Sequence, residues 1–180
     1  MVRRVAMISV HTGPLDVLGG KETGGMNVYV RELTRAFGKL GVATDVFTRS
    51  QDVRTPRVRP LGLNGRVVVV PAGPERAYNK NDVYHNLPEF VRGVLDFAEA
   101  DGTAYDVIHG HYWLSGLAAR GLARQWHVPI VQMFHTLGEL KNRVAGSPGE
   151  MEPPLRIEKE REIIGFAERI VAATSLERDE

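Results

Sequence analysis

A regular alternation of short apolar runs with longer amphipathic stretches is the feature that most constrains the fold of this chain. Residues 5–10 form an apolar run with β-branched side chains, which is typical of a strand buried on both faces. From Met26 the apolar residues recur at helical spacing until Gly41, a residue type that commonly ends a helix. The same pattern predicts further strands at 44–48, 67–70, 107–109, 129–134 and 170–173, and further helices at 87–100, 114–126 and 155–167. The sequence therefore predicts an α/β fold with a doubly wound parallel sheet.

Composition narrows the class of protein and its partners. The chain has 180 residues, enough for one domain with a core, and its 23 basic and 22 acidic residues nearly cancel. Because there is no broad positive field, we expect no nucleic-acid partner, and no apolar stretch of the sequence is long enough to span a bilayer. The sequence contains no cysteine, which excludes disulfides and cysteine nucleophiles and favours a cytoplasmic location.

The last residues are typical of a helix start. Thr174-Ser-Leu-Glu177 is a capping-box pattern, with an acidic residue suited to a first helical turn. We expect that the chain was cut from a longer protein near Glu180, with a disordered tail as the alternative. An apolar surface left by an absent domain would favour self-association, so a homo-oligomer stays open.

Candidate ligand-binding residues follow the predicted strands, where open α/β sheets bind their ligands. His11 follows the first strand, His109 and His111 lie at the end of the 107–109 strand, and His135 follows the 129–134 strand. A zinc site at His109-x-His111 is the alternative, but no carboxylate or third histidine shows ligand spacing, so we expect a hydrogen-bonded structural pair and no metal.

A glycine-rich loop, Gly19-Gly-Lys-Glu-Thr-Gly-Gly25, precedes the first helix. Its glycines would let the backbone approach a ligand, and the amino end of the helix would attract an anion. The loop matches neither the dinucleotide-binding pattern nor the P-loop, so a flexible surface loop is the alternative.

Two cations are candidates for binding a phosphate at the same edge of the sheet. Lys80 follows the 67–70 strand, and Arg156 lies at the start of the last long helix. Arginine offers phosphate oxygens a planar fork of donors, and lysine offers a mobile point charge. For each of them the alternative is a solvated surface charge.

The sequence shows no covalent nucleophile and no pair of catalytic carboxylates. It has neither a G-x-S-x-G elbow nor a cysteine. Glu158, Glu160 and Glu162 alternate with basic residues along a predicted helix, which predicts a solvated face.

Five motifs together carry a resemblance to a known family. They are His11-Thr-Gly-Pro-Leu, Gly24-Gly-Met-Asn-Val-Tyr-Val30, Tyr105-Asp-Val-Ile-His-Gly-His-Tyr-Trp-Leu-Ser-Gly116, His135-Thr-Leu-Gly-Glu-Leu-Lys-Asn142 and Glu152-Pro-Pro-Leu-Arg156. On these motifs the sequence resembles family 4 of the retaining glycosyltransferases, which have two facing Rossmann-like domains in the GT-B arrangement. The resemblance implies that residues 1–180 form the N-terminal, acceptor-binding Rossmann-like half of such a fold.

The resemblance also implies a role for individual residues. Four residues would hold the phosphate of an acceptor: Lys80, Tyr112, Thr136 and Arg156. Two residues would lie beside the acceptor ring: His11 and Asn27. Two glycines would let the loop approach the donor diphosphate: Gly24 and Gly25. His135 would face the donor sugar near the reacting carbon, which makes it the candidate catalytic residue.

The implied activity is transfer of a hexosyl unit from a nucleotide sugar, with a UDP-sugar as the expected donor and no cofactor bound by this chain. The sequence is most similar to family members that glycosylate inositol 3-phosphate, and next to those that act on fructose 6-phosphate. A phosphorylated polyol or sugar is therefore the expected acceptor, although an unphosphorylated acceptor stays open. In this family the acceptor hydroxyl is thought to attack from the face that the leaving group departs, with a diphosphate oxygen accepting the proton.

The resemblance places the nucleotide sugar mainly on a C-terminal domain that these 180 residues do not contain. The chain alone is therefore expected to be inactive. The alternatives are a free-standing half-enzyme that pairs with a separate donor domain, and a noncatalytic module that binds sugar phosphates or a partner protein.

Overall fold

A seven-stranded sheet forms the centre of the part of the chain that the computed structural model describes, residues 1–16 and 24–179. The strands are β1 Arg4–Ile8, β2 Ala43–Arg49, β3 Val58–Pro60, β4 Gly65–Val70, β5 Val107–His111, β6 Ile130–Met133 and β7 Arg169–Ile170. Their order across the sheet is β3-β4-β2-β1-β5-β6-β7. Neighbouring strands are parallel, except that β3 pairs with β4 in the antiparallel sense.

Helices connect the parallel strands and cover both faces of the sheet. The α-helices are α1 Gly25–Lys39, α2 Leu87–Ala100, α3 Trp113–Trp126, α4 Gly138–Arg143, α5 Pro154–Phe166 and α6 Ser175–Asp179. Short 3-10 helices span Lys80–Asn86 and Pro148–Glu150. Within the described ranges, no helix has both the length and the apolar character that a membrane crossing requires.

The predicted α/β fold and doubly wound sheet are confirmed, with two corrections. Strand β3 was not predicted, because three residues are too few to show a strand period, and its Pro60 is tolerated only because β3 is an edge strand. Helix α4 was also missed, since its six residues make fewer than two turns and show no apolar stripe. The helix start predicted at Thr174 is confirmed, because the Thr174 hydroxyl accepts a hydrogen bond from the Glu177 amide.

Side chains that alternate along the strands pack into two separate parts of the core, one on each face of the sheet. On one face Met7 and Val46 pack with Val30 of α1. On the other face Ile8 and Ile108 belong to the cluster that α2 and α3 cover. Because the chain adds strands on one side of β1 and then on the other, the strand order reverses between β1 and β5. This reversal opens a crevice beyond the carboxyl ends of these two strands.

Two glycines let α3 lie unusually close to β5. A Cβ atom at Gly116 would come within 2.8 Å of both the Gln132 side-chain oxygen and Ile163 Cδ1, and one at Gly110 would meet the same oxygen. Since side chains alternate along a strand, His109 and His111 lie on the opposite face of β5 from Gly110. The alternation along β5 therefore places both histidines on the face away from α3, where His111 lies 5.9 Å from the Tyr29 ring of α1, measured between centroids.

A buried carboxylate joins the amino ends of four strands, at the edge opposite the crevice. Asp45 of β2 is 1% exposed and accepts hydrogen bonds from Arg4 at 3.2 Å, from Arg66 at 2.7 Å and from the Tyr105 hydroxyl at 2.7 Å. Burial of Tyr105 beside this carboxylate raises the pKa of its hydroxyl, so the hydroxyl remains a donor to Asp45 at neutral pH. These bonds tie β1, β2 and β4 to the segment that leads into β5.

Replacing Asp45 with Asn should destabilise the fold without changing the crevice. We expect the free energy of unfolding to fall by about 2 to 3 kcal/mol, because hydrogen bonds to a charged group are lost and two arginines lose a buried partner. Urea denaturation followed by circular dichroism measures the change. Asp101→Asn is the matched control, since Asp101 binds the same Arg66 from the surface and its loss should cost less. Equal losses for the two variants would contradict the role given to Asp45.

Candidate functional site

The crevice at the reversal of strand order collects polar side chains from three neighbouring strands. His11 follows β1, Tyr112 follows β5, and His135 follows β6. The rings of His11 and Tyr112 lie 4.5 Å apart, measured between centroids. The prediction that residues at three strand ends meet at one edge is therefore confirmed, because β1, β5 and β6 are adjacent in the sheet.

The two cations singled out in the sequence lie against the same aromatic ring. The Lys80 ammonium is 5.8 Å from the centroid of the Tyr112 ring, and the Arg156 guanidinium carbon is 4.6 Å from it. Their charges also reach His11. Burial, then the positive charges of Lys80 and Arg156, and finally His135, lower the pKa of His11 to about 3. Segments as distant in sequence as residues 11, 80 and 156 thus surround one small volume.

Arg156 is buried by a set of acceptors that holds its plane in place. Its side chain is 2% exposed, its Nε donates to Glu160 at 2.7 Å, and Nη1 lies 3.0 Å from a Glu152 oxygen. Nη2 donates to the carbonyl of Thr136. The other Glu160 oxygen accepts from the Gly138 amide at 2.8 Å. These contacts engage all three guanidinium nitrogens of Arg156.

The structure corrects the predicted solvated face of the last long helix. Glu158 and Glu162 are largely at the surface, but Glu160 is 3% exposed and is a structural partner of Arg156. Burial raises the pKa of Glu160, although the charge of Arg156 and its hydrogen bond oppose the rise. The alternating sequence failed to indicate this, because a buried acidic residue and a solvated one look alike when the partner lies four residues earlier on the same helix.

Glu152 completes the charged surroundings of Arg156. Burial opposes its ionisation, but the hydrogen bond from Lys141 and the charges of Arg156 and Lys80 together hold its pKa below the ordinary value. Three cations and two carboxylates therefore meet here, and the cluster keeps a net positive charge facing Tyr112.

The histidines at the strand ends are neutral at physiological pH. His111 Nδ1 and His135 Nε2 share a hydrogen bond of 2.9 Å, and the rings of His109 and His111 lie 4.2 Å apart. Burial lowers the pKa of His135 to about 4, and burial and then the charge of His135 lower that of His109 to about 4. Among residues 1–16 and 24–179, no group of three or more histidine or acidic side chains is placed to hold a metal ion.

Two residues of the crevice have a backbone conformation that side chains rarely adopt. Tyr112 has φ 76° and His135 has φ 65°, and both are in the left-handed region. Such conformations cost about 1 to 3 kcal/mol each and cluster at functional sites. Gln132, which is fully buried, donates from Nε2 to the carbonyls of Tyr112 at 3.1 Å and Met133 at 3.2 Å. No sequence signal indicated Gln132, because its role depends on which loops lie above it.

The part of the loop between β1 and α1 that the structure describes is held by Asn27, which was predicted to lie beside an acceptor ring. Asn27 is 1% exposed and donates both amide hydrogens inside the protein, to the Thr12 hydroxyl and the Gly13 carbonyl, each at 2.6 Å. Its side-chain oxygen accepts from the Gly24 amide at 3.3 Å. Asn27 therefore positions the loop and has no amide hydrogen left for a ligand.

The remaining predicted residues lie at the open side of the crevice. Gly24 and Gly25 begin α1, and a Cβ atom at either position would meet nothing within 4 Å. The first part of the glycine-rich loop, residues 17–23, lies outside the described residues. Thr136 is exposed, and its hydroxyl donates to the His135 carbonyl at 2.6 Å, so the oxygen lone pairs are available to a donor.

Two bacterial proteins named D-inositol 3-phosphate glycosyltransferase are similar to this chain over nearly its whole length. The protein from Nocardiopsis dassonvillei is 43% identical over 172 residues, which cover 95% of this chain and 40% of that protein. The protein from Xylanimonas cellulosilytica is 43% identical over 180 residues, which cover 98% of this chain and 43% of that protein. This chain therefore spans about two fifths of the length of these relatives.

The solved structure of sucrose-phosphate synthase from Thermosynechococcus elongatus has the same fold. It superposes with a TM-score of 0.90 at 29% identity, covering 98% of this chain and 44% of that one. The predicted Rossmann-like half of a GT-B fold is thereby confirmed. The sequence profile of the family described as "Glycosyl transferase 4-like domain" matches residues 24–180. Since this match includes well over half of the chain, the chain belongs to the glycosyl transferase 4-like family.

Proposed function

We propose that this chain is the acceptor-binding half of a retaining glycosyltransferase, which moves a hexosyl unit from a nucleotide sugar to a phosphorylated polyol or sugar. The names of two similar proteins, D-inositol 3-phosphate glycosyltransferases, support inositol 3-phosphate as the acceptor. The likeness to sucrose-phosphate synthase supports the same class of reaction. In this proposal a second domain, outside these 180 residues, binds most of a UDP-sugar donor.

The observation that carries the proposal is the placement of Lys80 and Arg156 against the ring of Tyr112. The two cations come from segments that are far apart in the sequence. Lys80 lies 5.8 Å and Arg156 4.6 Å from the centroid of the Tyr112 ring. A phosphate group placed beside this ring would receive charge-assisted hydrogen bonds from both cations. The Thr136 hydroxyl lies next to the carbonyl that Arg156 binds, and it would have to turn its hydrogen from the His135 carbonyl to donate to the same phosphate.

His11 suits contact with a neutral hydroxyl of the acceptor ring. Its pKa of about 3 makes the imidazole neutral, so it can accept or donate a hydrogen bond without repelling the neighbouring cations. Its Nδ1 is buried and has no hydrogen-bond partner among residues 1–16 and 24–179. An acceptor hydroxyl would satisfy this nitrogen.

The donor would lie over the amino end of α1. This helix has 15 residues, and no described residue would meet a Cβ atom at Gly24 or Gly25 within 4 Å, so a diphosphate would be able to approach the amides at its amino end. In the proposed reaction the acceptor oxygen bonds to the anomeric carbon while the bond from that carbon to the diphosphate breaks. The proton of the acceptor hydroxyl moves to the departing diphosphate oxygen.

His135 would orient the donor sugar through a hydrogen bond. With a pKa of about 4 it carries no proton to give as a cation at neutral pH, and its Nε2 is already paired with His111. A role as general acid is therefore disfavoured, which agrees with transfer of the proton to the leaving group.

Lys80→Gln tests the phosphate site more cleanly than a change at Arg156. Removing Arg156 would leave Glu152 and Glu160 without their buried partner and would destabilise the fold. Lys80→Gln should weaken binding of inositol 3-phosphate by about tenfold or more, because a hydrogen bond to a charged group contributes about 1.5 to 3 kcal/mol. Isothermal titration calorimetry of the chain measures this change.

Two controls accompany this titration. Lys39→Gln, at the exposed far end of α1, should bind inositol 3-phosphate like the unchanged chain. The affinity for unphosphorylated inositol should be the same before and after Lys80→Gln. If Lys80→Gln binds the phosphate ester as well as the unchanged chain does, Lys80 is not part of the site.

The neutral histidines predict a loss of stability in mild acid. His11, His109 and His135 would take up protons near pH 6.5 when unfolded, but only near pH 3 to 4 when folded. The unfolded state therefore binds more protons in this window, and the free energy of unfolding falls as the pH falls through it. His109→Gln should reduce the slope between pH 6.5 and pH 5 by about 1 kcal/mol per pH unit, as expected for one proton. Urea denaturation at several pH values measures the slope of the unfolding free energy against pH. The control is His85→Gln, since His85 is exposed. An unchanged slope for His109→Gln would contradict the lowered pKa of His109.

A further inference from the structure

Arg49 is a buried cation that the proposed reaction does not use directly. It is the last residue of β2, next to β1 in the sheet, and its side chain is 3% exposed. Its Nη1 donates to the carbonyls of Ser50 at 2.8 Å and Pro74 at 2.9 Å, and its Nη2 donates to the carbonyl of Arg76 at 3.0 Å. The guanidinium also stacks on the ring of Tyr78, with its carbon 4.4 Å from the centroid.

A buried guanidinium that binds neutral carbonyls has an energetic cost. Removing a positive charge from water is unfavourable unless the new partners replace the lost hydration, and burial accordingly lowers the pKa of Arg49. A neutral side chain would fill the same space without this cost. The three carbonyl contacts are therefore expected to hold the neighbouring backbone in place, which an apolar residue would not do.

What Arg49 holds is the segment that leads to Lys80. Residues 71–79 form neither helix nor strand. Arg49 contacts this segment at Pro74, Arg76 and Tyr78, which are every second residue, and the last of them lies two positions before Lys80. The Tyr78 hydroxyl in turn accepts a hydrogen bond of 2.7 Å from Asn86, at the start of α2.

We propose that Arg49 is a positioning residue, which fixes the 74–78 segment so that Lys80 is presented to the phosphate of the acceptor. The proposal rests on the proposed function for the identity of the ligand. A lysine side chain on a mobile segment would have to be ordered when the phosphate binds, and this ordering weakens affinity. A segment fixed by four side-chain contacts, three from Arg49 and one between Asn86 and Tyr78, is ordered beforehand.

The variant that tests this role is Arg49→Lys, which keeps the positive charge. Lysine cannot bind three carbonyls at once and cannot stack as a plane on the Tyr78 ring, so the contacts that fix the segment are lost. The positive charge is kept, so the electrostatic potential at the crevice is nearly conserved. We expect Arg49→Lys to weaken binding of inositol 3-phosphate by about three- to tenfold, the effect expected when one side chain must be ordered on binding. The double variant Arg49→Lys with Lys80→Gln should bind no more weakly than Lys80→Gln alone, since Arg49 acts through Lys80. Additive losses in the double variant would overturn the proposal.

Arg57→Gln is the matched control on the same segment. Arg57 pairs with Glu75 from outside, at 2.7 Å, and its side chain is 45% exposed. This exposed ion pair should contribute little to the order of the segment, so Arg57→Gln should bind inositol 3-phosphate like the unchanged chain.

Hydrogen exchange gives a second measurement that does not depend on any ligand. The amides of residues 75–80 should exchange faster in Arg49→Lys than in the unchanged chain or in Arg57→Gln, while the amides of β2 and β4 should not change. Unchanged exchange in 75–80 would overturn the role of Arg49. If the unchanged chain fails to bind inositol 3-phosphate, the proposed function fails, whereas normal binding by Arg49→Lys together with weak binding by Lys80→Gln would overturn the Arg49 proposal alone.

Discussion

Arg156 joins separate parts of the chain at the carboxyl edge of the sheet. Its guanidinium binds Glu160 on its own helix and the carbonyl of Thr136 after β6, and it lies over the ring of Tyr112 after β5. Glu160 extends the network to the Gly138 amide at the start of α4. Because every one of these groups is polar and most are buried, each depends on the others for its hydrogen bonds. The shape of the crevice on this side of the sheet follows from that mutual dependence.

The basic side chains of the crevice fall into two kinds, one that is charged and one that is neutral. Arg156 keeps its charge, since the carboxylates of Glu152 and Glu160 lie against its guanidinium. The imidazoles of His11 and His135 are neutral because burial lowers the pKa of both, and at His11 the charges of Lys80 and Arg156 lower it further. The crevice therefore has a positive charge beside neutral hydrogen-bonding groups, which supports the proposed phosphorylated acceptor. A sugar or polyol phosphate has this same pairing of groups.

Much of the fold could be predicted, because it depends on patterns that are local in sequence. The helix predicted at 87–100 has the same bounds as α2, since its apolar period is clear and Pro88 lies in its first turn. The edge strand β3 and the six-residue helix α4 escaped prediction, because elements this short are stabilised by their neighbours and carry little periodicity. The proximity of the predicted site residues could be predicted in part, for a different reason. Parallel strands place their carboxyl ends at one edge, so residues after β1, β5 and β6 had to be near one another if those strands were adjacent.

The sequence by itself determined the alternation of strands and helices, the family resemblance and the strand-end residues, because each of these is recorded in a short stretch of chain. Only the tertiary structure decided that Glu160 is buried and that Asn27 donates both amide hydrogens within its own loop. It also decided that Arg49 binds the segment before Lys80. It also decided the left-handed backbone of Tyr112, which no residue preference favours. The physical reason is the same in each case. Burial and hydrogen-bond partners depend on groups brought together across long separations in sequence, and local preferences carry no information about them.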